Sequence, residues 1–528
     1  MPTLNWIGKE KVVTHHNDVP YRVLDHKYDY GTPNPASTEN GEADNMIIHG
    51  DNLEALKALL PKYEGHVDCI YIDPPYNTGN EKWVYNDNVN DPHIRKWLGQ
   101  VVGPEAEDLT RHDKWLCMMY PRLVLLQKLL APTGAIFISI DDNEQANLKL
   151  ICDEIFGAGN FVGTLSWEST TQPINAGKAK FNLQKRVEYI FLYKFGEKSF
   201  ILNELESQCK YPHEGKLGKC RYEIIEKSDA GGDARQTMKF PILGKYPREG
   251  KRWQIGESTA KELIASNRIE IIDGIVRKIV YPEDELDKRK FEPFWSHFSS
   301  KIGTAQSGKD LLNFIFGTAV GFDTVKPPLL IETLLQHFTS NALILDSFAG
   351  SGTTAHAVLN LNKQDGGHRR FILCEMCDYA ETITAERVRR VIDGYGEGNK
   401  AVEGTGGSFA YYELGTTIFD PKTNLLNDKA DTEQIREYVW YSETHTAYRR
   451  PDKHTNKYLL GQYEHNNYYF YYEPDTETCL DWDFLNTLTE QDKADMYIIY
   501  ADRCLLSEQD MTRFNIRYKK IPRDIKRV

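Results

Sequence analysis

The sequence predicts an α/β protein whose parallel sheet is covered by helices. Two observations indicate this class. Short apolar runs of strand length alternate with longer runs in which apolar residues recur at helical spacing, and the alternation occurs twice, in residues 45–195 and 311–395. The chain has 528 residues, more than one hydrophobic core usually holds, so we expect two or three domains.

The first alternating stretch begins with a short apolar strand at 46–49. A helix follows at 52–60, where Leu53, Leu56 and Leu59 have helical spacing. Further strands are predicted at 67–72, 135–140 and 188–193, and a further helix at 116–130. The strand at 67–72 ends directly in Asp73-Pro74-Pro75-Tyr76.

The alternation is lost in residues 196–310, where short strand candidates lie among Lys, Arg, Gly and Pro. It resumes in the second stretch, with helices predicted at 329–335, 353–360 and 382–392 and strands at 342–345 and 371–374. Residues 396–407 are rich in glycine and predict a linker. The remaining segment is acidic and rich in tyrosine.

Charge and composition limit the function classes. The net charge is −13, yet residues 166–330 hold 27 Lys and Arg against 22 Asp and Glu. This basic segment could face phosphates, or it could be a solvated face of mixed charge. No apolar run is long enough to span a membrane, and no secretion signal is predicted. The scattered cysteines indicate reduced thiols in a cytoplasm, and Cys374 with Cys377 supplies too few ligands for a zinc site, so no metal is expected.

A glycine-rich turn, from Asp346 to Thr354, lies between a predicted strand and a predicted helix. Glycines let a backbone approach a ligand closely, and the helix N-terminus offers free N–H groups. Glu375 ends the next strand, where an acid can hold ribose hydroxyls. NAD, FAD and S-adenosylmethionine sites all use such a turn. The candidate residues are Asp346, Phe348, Ala349, Gly350, Ser351, Gly352, Thr353 and Thr354.

The Asp73-Pro74-Pro75-Tyr76 motif narrows these options, because it stands at the carboxyl end of a strand, where open α/β sheets bind ligands. An aromatic amino nitrogen is a poor nucleophile because its lone pair is delocalised into the ring. The Asp73 carboxylate and the Pro74 carbonyl can accept its two hydrogens, and Tyr76 offers a face for a flipped base. The alternative is an ordinary Pro-rich turn.

These two motifs together resemble the signature pair of amino-methyltransferases that act on DNA. Here the Asp-Pro-Pro-Tyr motif comes first, as in the circularly permuted β-class. The strings His49 to Leu53, Ile72 to Gly79 and Phe322 to Pro328 resemble the modification (Mod) subunits of type III restriction-modification systems. The resemblance covers residues 45–395 and implies a Rossmann-like S-adenosylmethionine-dependent fold with an inserted target-recognition domain and a C-terminal α+β extension.

The resemblance also implies a role for each motif residue. Asp73, Pro74, Pro75 and Tyr76 would be catalytic. Asp51 would contact the adenine of the cofactor, Glu375 its ribose, and Asp346 to Thr354 its methionine moiety, against which Thr324, Lys326 and Pro327 would lie. Asp as the first catalytic residue favours N6 of adenine over N4 of cytosine. Family members often have a His before the Glu188-Tyr189 strand, and here Arg186-Val187 stands there, so neither Arg186 nor Tyr189 is assigned to the base pocket.

The implied division of the chain has five parts: an N-terminal extension (1–44), a catalytic half (45–195), a target-recognition domain (196–310), a cofactor-binding half (311–395) and a C-terminal domain for dimerisation or partner docking (396–528). The expected partners are double-stranded DNA, a restriction (helicase-nuclease) subunit and a second copy of the chain, in the cytoplasm or nucleoid of a prokaryote.

Three alternatives stay open at this point. The target could be N4 of cytosine, or RNA. The chain could be mainly a DNA-recognition subunit for a translocase-nuclease, or it could be a Rossmann oxidoreductase, which has no use for Asp-Pro-Pro-Tyr. The stretch Gly303 to Asp310 nearly matches a nucleotide-binding P-loop, but Asp310 replaces the required hydroxyl and no apolar strand precedes it.

Overall fold

The structure is a computed structural model that describes residues 3–32, 45–78, 110–173, 183–196, 202, 205–206, 211–229, 236–285, 291–292, 294–420, 422–451, 456–488 and 493–526. Gly79, the last residue of one motif string, and residues 33–44 of the N-terminal extension lie outside these ranges. Two compact units are present: Met1–Ile201 with Trp295–Val528, and Leu202–Phe294. The second unit falls inside the segment 196–310, and the assignment of functions to the five predicted segments stays a prediction.

The strands before residue 202 are β1 (Arg22–Gly31), β2 (Met46–His49), β3 (Val67–Ile72), β4 (Leu130–Ile140), β5 (Phe161–Glu168) and β6 (Val187–Lys194). The second unit contains β7 (Leu205–Glu206), β8 (His213–Gly215), β9 (Gly218–Ile224), β10 (Glu226–Ser228), β11 (Lys251–Trp253), β12 (Ile269–Ile272), β13 (Ile275–Val280) and β14 (Phe291–Glu292). After it come β15 (His297–Phe298), β16 (Leu343–Asp346), β17 (Arg370–Glu375), β18 (Gly394–Tyr395), β19 (Val402–Glu403), β20 (Ser408–Thr417), β21 (Leu459–Tyr463), β22 (Asn466–Phe470), β23 (Cys479–Leu480), β24 (Met496–Ala501), β25 (Arg503–Cys504) and β26 (Ile516–Lys520).

Within the described residues the α-helices are α1 (Lys9–Val12), α2 (His15–Asp18), α3 (Asn52–Tyr63), α4 (Arg111–Leu129), α5 (Gln145–Cys152), α6 (Glu257–Ala265), α7 (Ala305–Phe316), α8 (Pro328–Leu335), α9 (Thr353–Asp365), α10 (Glu386–Asp393), α11 (Thr432–Thr444), α12 (Trp482–Leu485) and α13 (Glu508–Arg513). Helix α4 begins at Arg111, five residues before the predicted start, because Thr110 and Asp113 form a capping box that apolar spacing does not reveal.

One ten-stranded sheet, ordered β1-β20-β2-β17-β16-β3-β4-β6-β5-β15, organises the first unit. Its six strands from β20 to β4 are parallel, whereas β1 and β6 are antiparallel to their neighbours. Helices α3 and α4 cover one face and share a buried core with Ile70, Ile138 and Val12. The predicted α/β class with a parallel sheet is therefore confirmed.

The glycine-rich segment 396–407 differs from the predicted linker. Gly394–Tyr395 pairs with Val402–Glu403, and the chain then enters β20, which lies inside the main sheet between β1 and β2. Beyond β20, a mixed sheet of β21, β22, β24 and β26 packs with α11 around a core that includes Trp440 and Tyr500. Among the helices described, none has the length and apolar character needed to cross a bilayer.

The motif residues meet at one edge of this sheet. Strands β2, β17, β16 and β3 are adjacent and parallel, so their carboxyl ends lie side by side. Asp51, Glu375, Asp346 and Asp73 stand at or directly after these four ends. The topology alone thus brings together four acids from distant parts of the chain.

Candidate active site

The loop after β3 is fixed by buried side chains. The indole of Trp115 donates a hydrogen bond of 2.6 Å to the Pro75 carbonyl. Asn77 has a positive φ of 57°, and its amide donates to the Arg111 carbonyl and to the buried carboxylate of Glu144. Among the described residues no donor reaches the Pro74 carbonyl, so this oxygen is left as an acceptor.

The Asp73 carboxylate is held by two neighbours. Lys326 Nζ donates to both of its oxygens, at 2.8 Å to Oδ1 and 2.7 Å to Oδ2, and the Tyr76 hydroxyl donates to Oδ1 at 2.8 Å. Burial lowers the pKa of Lys326, but the carboxylates of Asp73 and Glu188 outweigh burial and raise it above its usual value. Lys326 is therefore a cation at neutral pH, and Asp73 has a permanent counter-ion.

A second carboxylate, Glu188 on β6, belongs to the same group of side chains. Its Oε2 lies 3.0 Å from the Tyr76 hydroxyl and 3.4 Å from Lys326 Nζ. Sequence reasoning missed this residue. The available signal was an acid inside an otherwise apolar strand, Glu-Tyr-Ile-Phe-Leu-Tyr, where an ionised group needs a partner. Arg186 points elsewhere: its largely exposed guanidinium pairs with Glu168 at 3.3 Å.

The glycine-rich turn after β16 is organised by Asp346. Its Oδ1 accepts the Phe348 N–H at 3.0 Å, and its Oδ2 accepts the Thr354 hydroxyl at 2.5 Å. Gly352, at the start of α9, has a φ of 79°, and a Cβ there would lie 3.2 Å from the Thr384 carbonyl. Burial raises the pKa of Asp346 to about 7, so this carboxyl changes charge near neutral pH.

Glu375 ties the turn to the end of β17. Its Oε2 accepts the Gly350 N–H at 2.7 Å, and its Oε1 accepts the Cys377 N–H at 3.0 Å. Burial raises the pKa of Glu375, and these two N–H groups oppose the rise. The side chains of Cys377 and Tyr379 also hydrogen-bond to this carboxylate, so Glu375 is fixed in position at the wall of the site.

Two recesses open at this edge of the sheet, and Asp73 and Phe348 line both. The first encloses a space of about 470 Å³, part of which is open to solvent. Inside it the buried Ser347 hydroxyl has no hydrogen-bond partner among the described residues. The first recess is lined by Asn52, Asp73, Pro75, Met118, Arg122, Ser347, Phe348, Glu375, Met376, Cys377 and Tyr379. The second is lined by Tyr71, Asp73, Thr324, Val325, Lys326, Asp346, Phe348, Ala349, Ser351, Thr353 and Thr354.

Most of the site residues predicted from the sequence line one of these two recesses. The others lie in the adjoining loops or at helix starts. Gly350, Gly352, Pro74 and Tyr76 lie in the same two loops, and Pro327 precedes α8. Asp51 caps α3 through its Oδ1, which accepts the N–H groups of Leu53 and Glu54. The neighbouring Asn52, which sequence reasoning passed over, lines the first recess together with Arg122. The ligand roles assigned to the individual residues stay predictions.

A family model described as DNA methylase matches residues 67–386. The Mod subunit of the type III restriction-modification enzyme StyLTI from Salmonella typhimurium is 32% identical over 463 residues, covering 80% of this chain and 67% of that protein. The EcoPI Mod subunit of Escherichia phage P1 is 31% identical over 417 residues, covering 70% and 62%. This chain thus spans about two thirds of the length of these relatives.

Two further proteins similar to this chain are named as methyltransferases and not as Mod subunits. The type II methyltransferase M.KpnI from Klebsiella pneumoniae is 33% identical over 358 residues, covering 62% of this chain and 80% of that protein. Among solved structures, the cytosine-N4-specific PvuII DNA methyltransferase aligns with 13% identity and a TM-score of 0.35, over 65% of this chain and 86% of that one.

Proposed function

Because this chain belongs to the DNA methylase family, whose model runs from β3 to the start of α10, we propose that it is a site-specific methyltransferase acting on N6 of adenine in double-stranded DNA, with S-adenosylmethionine as cofactor. One observation carries the proposal. At the end of β3, Asp73 Oδ2 has one donor and the Pro74 carbonyl has none among the described residues, so both can accept a hydrogen of one amino group.

The first recess fits S-adenosylmethionine. The buried Ser347 hydroxyl has no partner among the described residues, and Glu375, an acid at the end of β17, lines the recess where ribose hydroxyls would lie. Apolar side chains, including Met118 and Phe348, complete its walls. When bound, this cofactor supplies an electrophilic methyl group on a positively charged sulfur, which leaves as a neutral thioether.

The chain's own residues supply orientation and electrostatics. A flipped adenine costs a few kcal/mol of unstacking, which contacts in the pocket offset. Asp73 and Pro74 accept the two amino hydrogens and draw the nitrogen out of conjugation with the ring, and Tyr76 offers a face to the base. Fixing the nitrogen in line with the methyl group contributes most of the rate enhancement. The extra proton passes from the nitrogen to water after the methyl group has arrived.

The direct test is a methyl-transfer assay with labelled S-adenosylmethionine and unmethylated genomic DNA, followed by mass spectrometry of the digested nucleosides. N6-methyladenine is the expected product. N4-methylcytosine would contradict the base assignment and leave the reaction class intact, whereas labelled RNA with unlabelled DNA would contradict the substrate. Absence of methylation of either nucleic acid would contradict the proposal.

Cofactor affinity is expected to rise with pH. Asp346 lines the second recess and has a pKa of about 7, so it is mostly neutral at pH 6 and mostly ionised at pH 8. A carboxylate attracts the cationic cofactor, and we expect affinity to increase by several-fold, up to about tenfold, across this range. Calorimetric titration at several pH values measures it, and Asp346→Asn should flatten the dependence. The second recess shares Asp73 and Phe348 with the first, so we place the charged sulfur where the two meet, and an affinity that stays constant or falls as pH rises would contradict this placement.

Asp346 also makes the stability of the ligand-free protein depend on pH. Cofactor affinity rises with pH, whereas this stability falls. The ordinary carboxyl pKa of Asp346 is 3.8, and the folded value is about 7. Between these values the folded state binds more protons than the unfolded state, so the free energy of unfolding decreases as pH rises. Asp346→Asn should remove that part of the decrease.

We assign DNA recognition to residues 196–310. The second compact unit, Leu202–Phe294, lies within this segment and carries an exposed turn of unusual composition. Ile242 and Lys245 exchange backbone hydrogen bonds of 2.9 Å, and the residues between them have positive φ, 49° at Leu243 and 76° at Gly244. Hairpin turns of this geometry prefer Asn, Asp or Gly at the first position. Leu243 is nevertheless 45% exposed, and the adjacent Tyr246 is 65% exposed.

Replacing Leu243 tests this assignment. Apolar side chains can wedge between base steps of DNA, so we expect Leu243→Asn to weaken binding to the recognised site by about tenfold. The melting temperature should stay level or rise, because Asn tolerates positive φ better than Leu. Fluorescence anisotropy with labelled duplex and thermal unfolding measure the two effects. Leu217→Asn, at another exposed leucine of this unit, is the matched control. Unchanged DNA affinity of Leu243→Asn would exclude the wedge.

We also propose a restriction subunit as partner and a homodimer as the assembled form, in a prokaryotic cytoplasm or nucleoid. The names of the Mod relatives, which are subunits of restriction-modification enzymes, support the first of these. Light scattering on the purified chain, alone and mixed with the restriction subunit of a type III enzyme, tests both: a mass of one chain alone would contradict the homodimer, and no complex with the subunit would contradict the partnership.

A further inference from the structure

Four side chains form a charged group beside the two recesses, which we call the Asp73 cluster: Asp73, Tyr76, Glu188 and Lys326. The charged side chains are 19%, 13% and 10% exposed for Asp73, Glu188 and Lys326 respectively. With two carboxylates and one ammonium, the cluster has a net charge of −1. Burial and the two carboxylates raise the pKa of Tyr76 well above its ordinary value, so its hydroxyl stays neutral.

The cluster is coupled by shared hydrogens. Tyr76 has one hydroxyl hydrogen, and its oxygen lies 2.8 Å from Asp73 and 3.0 Å from Glu188. Lys326 Nζ contacts the same three groups, at 2.7 Å, 2.9 Å and 3.4 Å from Asp73, Tyr76 and Glu188. Lys326 alone would neutralise Asp73. Glu188 contacts the same ammonium and hydroxyl, and its carboxylate adds a second negative charge. The cluster as a whole is therefore anionic.

Two cations near the cluster are paired with other acids: Arg122, which lines the first recess with Asp73, lies 3.4 Å from Asp51, and Lys185 is paired as well. Lys185 Nζ lies 5.7 Å from the centre of the Tyr76 ring, but it pairs with Asp141 at 2.6 Å. Asp346 acts on the same region as a further acid. Glu188 is therefore the side chain that makes the cluster anionic instead of neutral.

We propose that Glu188 sets the ligand preference of this site, and that it favours the positively charged methyl donor over the neutral thioether product. The inference rests on the proposed function. Direct transfer requires the charged sulfur and the amino nitrogen to share one methyl group, and Asp73 holds that nitrogen. The cationic centre thus lies beside the Asp73 cluster before transfer, and the sulfur has lost its charge afterwards. An anionic cluster attracts the donor and has no such attraction for the product.

The test is a binding measurement on the full chain without DNA, at pH 8, where Asp346 is mostly ionised. Calorimetry gives the Kd of S-adenosylmethionine and of S-adenosylhomocysteine for wild type, Glu188→Gln and Glu188→Asp. Glutamine keeps the size and hydrogen bonding of Glu188 and removes its charge. We expect Glu188→Gln to weaken donor binding by about tenfold and product binding by less than twofold. Glu188→Asp, which keeps the charge, should retain most of the preference for the donor.

Glu168→Gln is the matched control, because Glu168 lies on the adjacent strand β5 and pairs with Arg186 outside the cluster. Equal weakening of both ligands by Glu188→Gln would indicate a structural role and overturn the inference, as would an unchanged ratio of the two Kd values. A wild-type chain that binds neither ligand would overturn the proposed cofactor itself. Failure of the inference is thus distinguishable from failure of the proposed function.

Discussion

Asp73→Asn is expected to reduce methyl transfer by about 10³-fold or more while the protein stays folded and binds DNA. The amide presents a hydrogen-bond donor where the amino group needs an acceptor. It also removes the charge that pairs with Lys326 at 2.7 Å. Lys326 does not become an unpaired buried cation, because Glu188 lies 3.4 Å away. We therefore expect only a small fall in melting temperature, and the loss of activity is a loss of transition-state stabilisation.

Single-turnover methylation with excess enzyme measures this effect free of product release. Tyr76→Phe removes one of the donors to Asp73 and leaves the acceptor, so it should cost far less than Asp73→Asn. Asp29→Asn, at an exposed carboxylate of β1, is the matched control. Asp73→Asn with at least a tenth of wild-type activity would exclude Asp73 as the group that holds the amino nitrogen.

The parts of the fold that were predictable from the sequence have local signals. Apolar runs identified β2, β3, β16 and β17, and the motif residues follow those runs directly. Pairings between the two ends of the chain have no such signal. Strand β1 pairs with β20 through contacts such as Tyr28 with Tyr411, and neither strand is distinguished in the sequence from an edge hairpin or a loop. Only the complete set of neighbours selects their partners.

The site shows the same division. Residues inside a motif, such as Asp73, Asp346 and Glu375, were predictable because each type is required by a chemical step. Glu188 depends on what surrounds it. It gains its role from Lys326, 138 positions later in the chain. Asp51 has a structural role besides the ligand role predicted for it, since its Oδ1 caps α3.

The stretch Gly303 to Asp310, which resembles a P-loop, has a packing role in this structure. Thr304 caps α7, and both glycines face the segment that carries Lys326. A Cβ on Gly303 would lie 2.6 Å from the side chain of Pro327, and a Cβ on Gly308 would lie 2.1 Å from the Val325 carbonyl oxygen. These glycines permit close approach of two backbone segments, which explains their presence without a bound phosphate.

Gly308→Ala is therefore expected to be strongly damaging. In the interior of a helix this change normally stabilises by about 1 kcal/mol. Here the added methyl group overlaps backbone at 2.1 Å, and the residues around Val325 must move. We expect a destabilisation of about 3 kcal/mol, in the range of overpacked cores. Because Lys326 follows Val325, the shift also displaces the counter-ion of Asp73, and methyl transfer should fall by about 10²-fold.

Thermal unfolding and single-turnover methylation measure the two losses, and Gly159→Ala separates them from the general effect of the substitution. Gly159 is exposed, and a Cβ there would meet no atom within 4 Å, so this variant should be as stable and active as wild type. A Gly308→Ala protein with wild-type stability and activity would show that α7 does not fix the position of Lys326. A variant that is destabilised but fully active when folded would show that the packing is real and that Lys326 tolerates the shift. The expected joint loss follows only if the close approach at Gly308 places the ammonium beside Asp73.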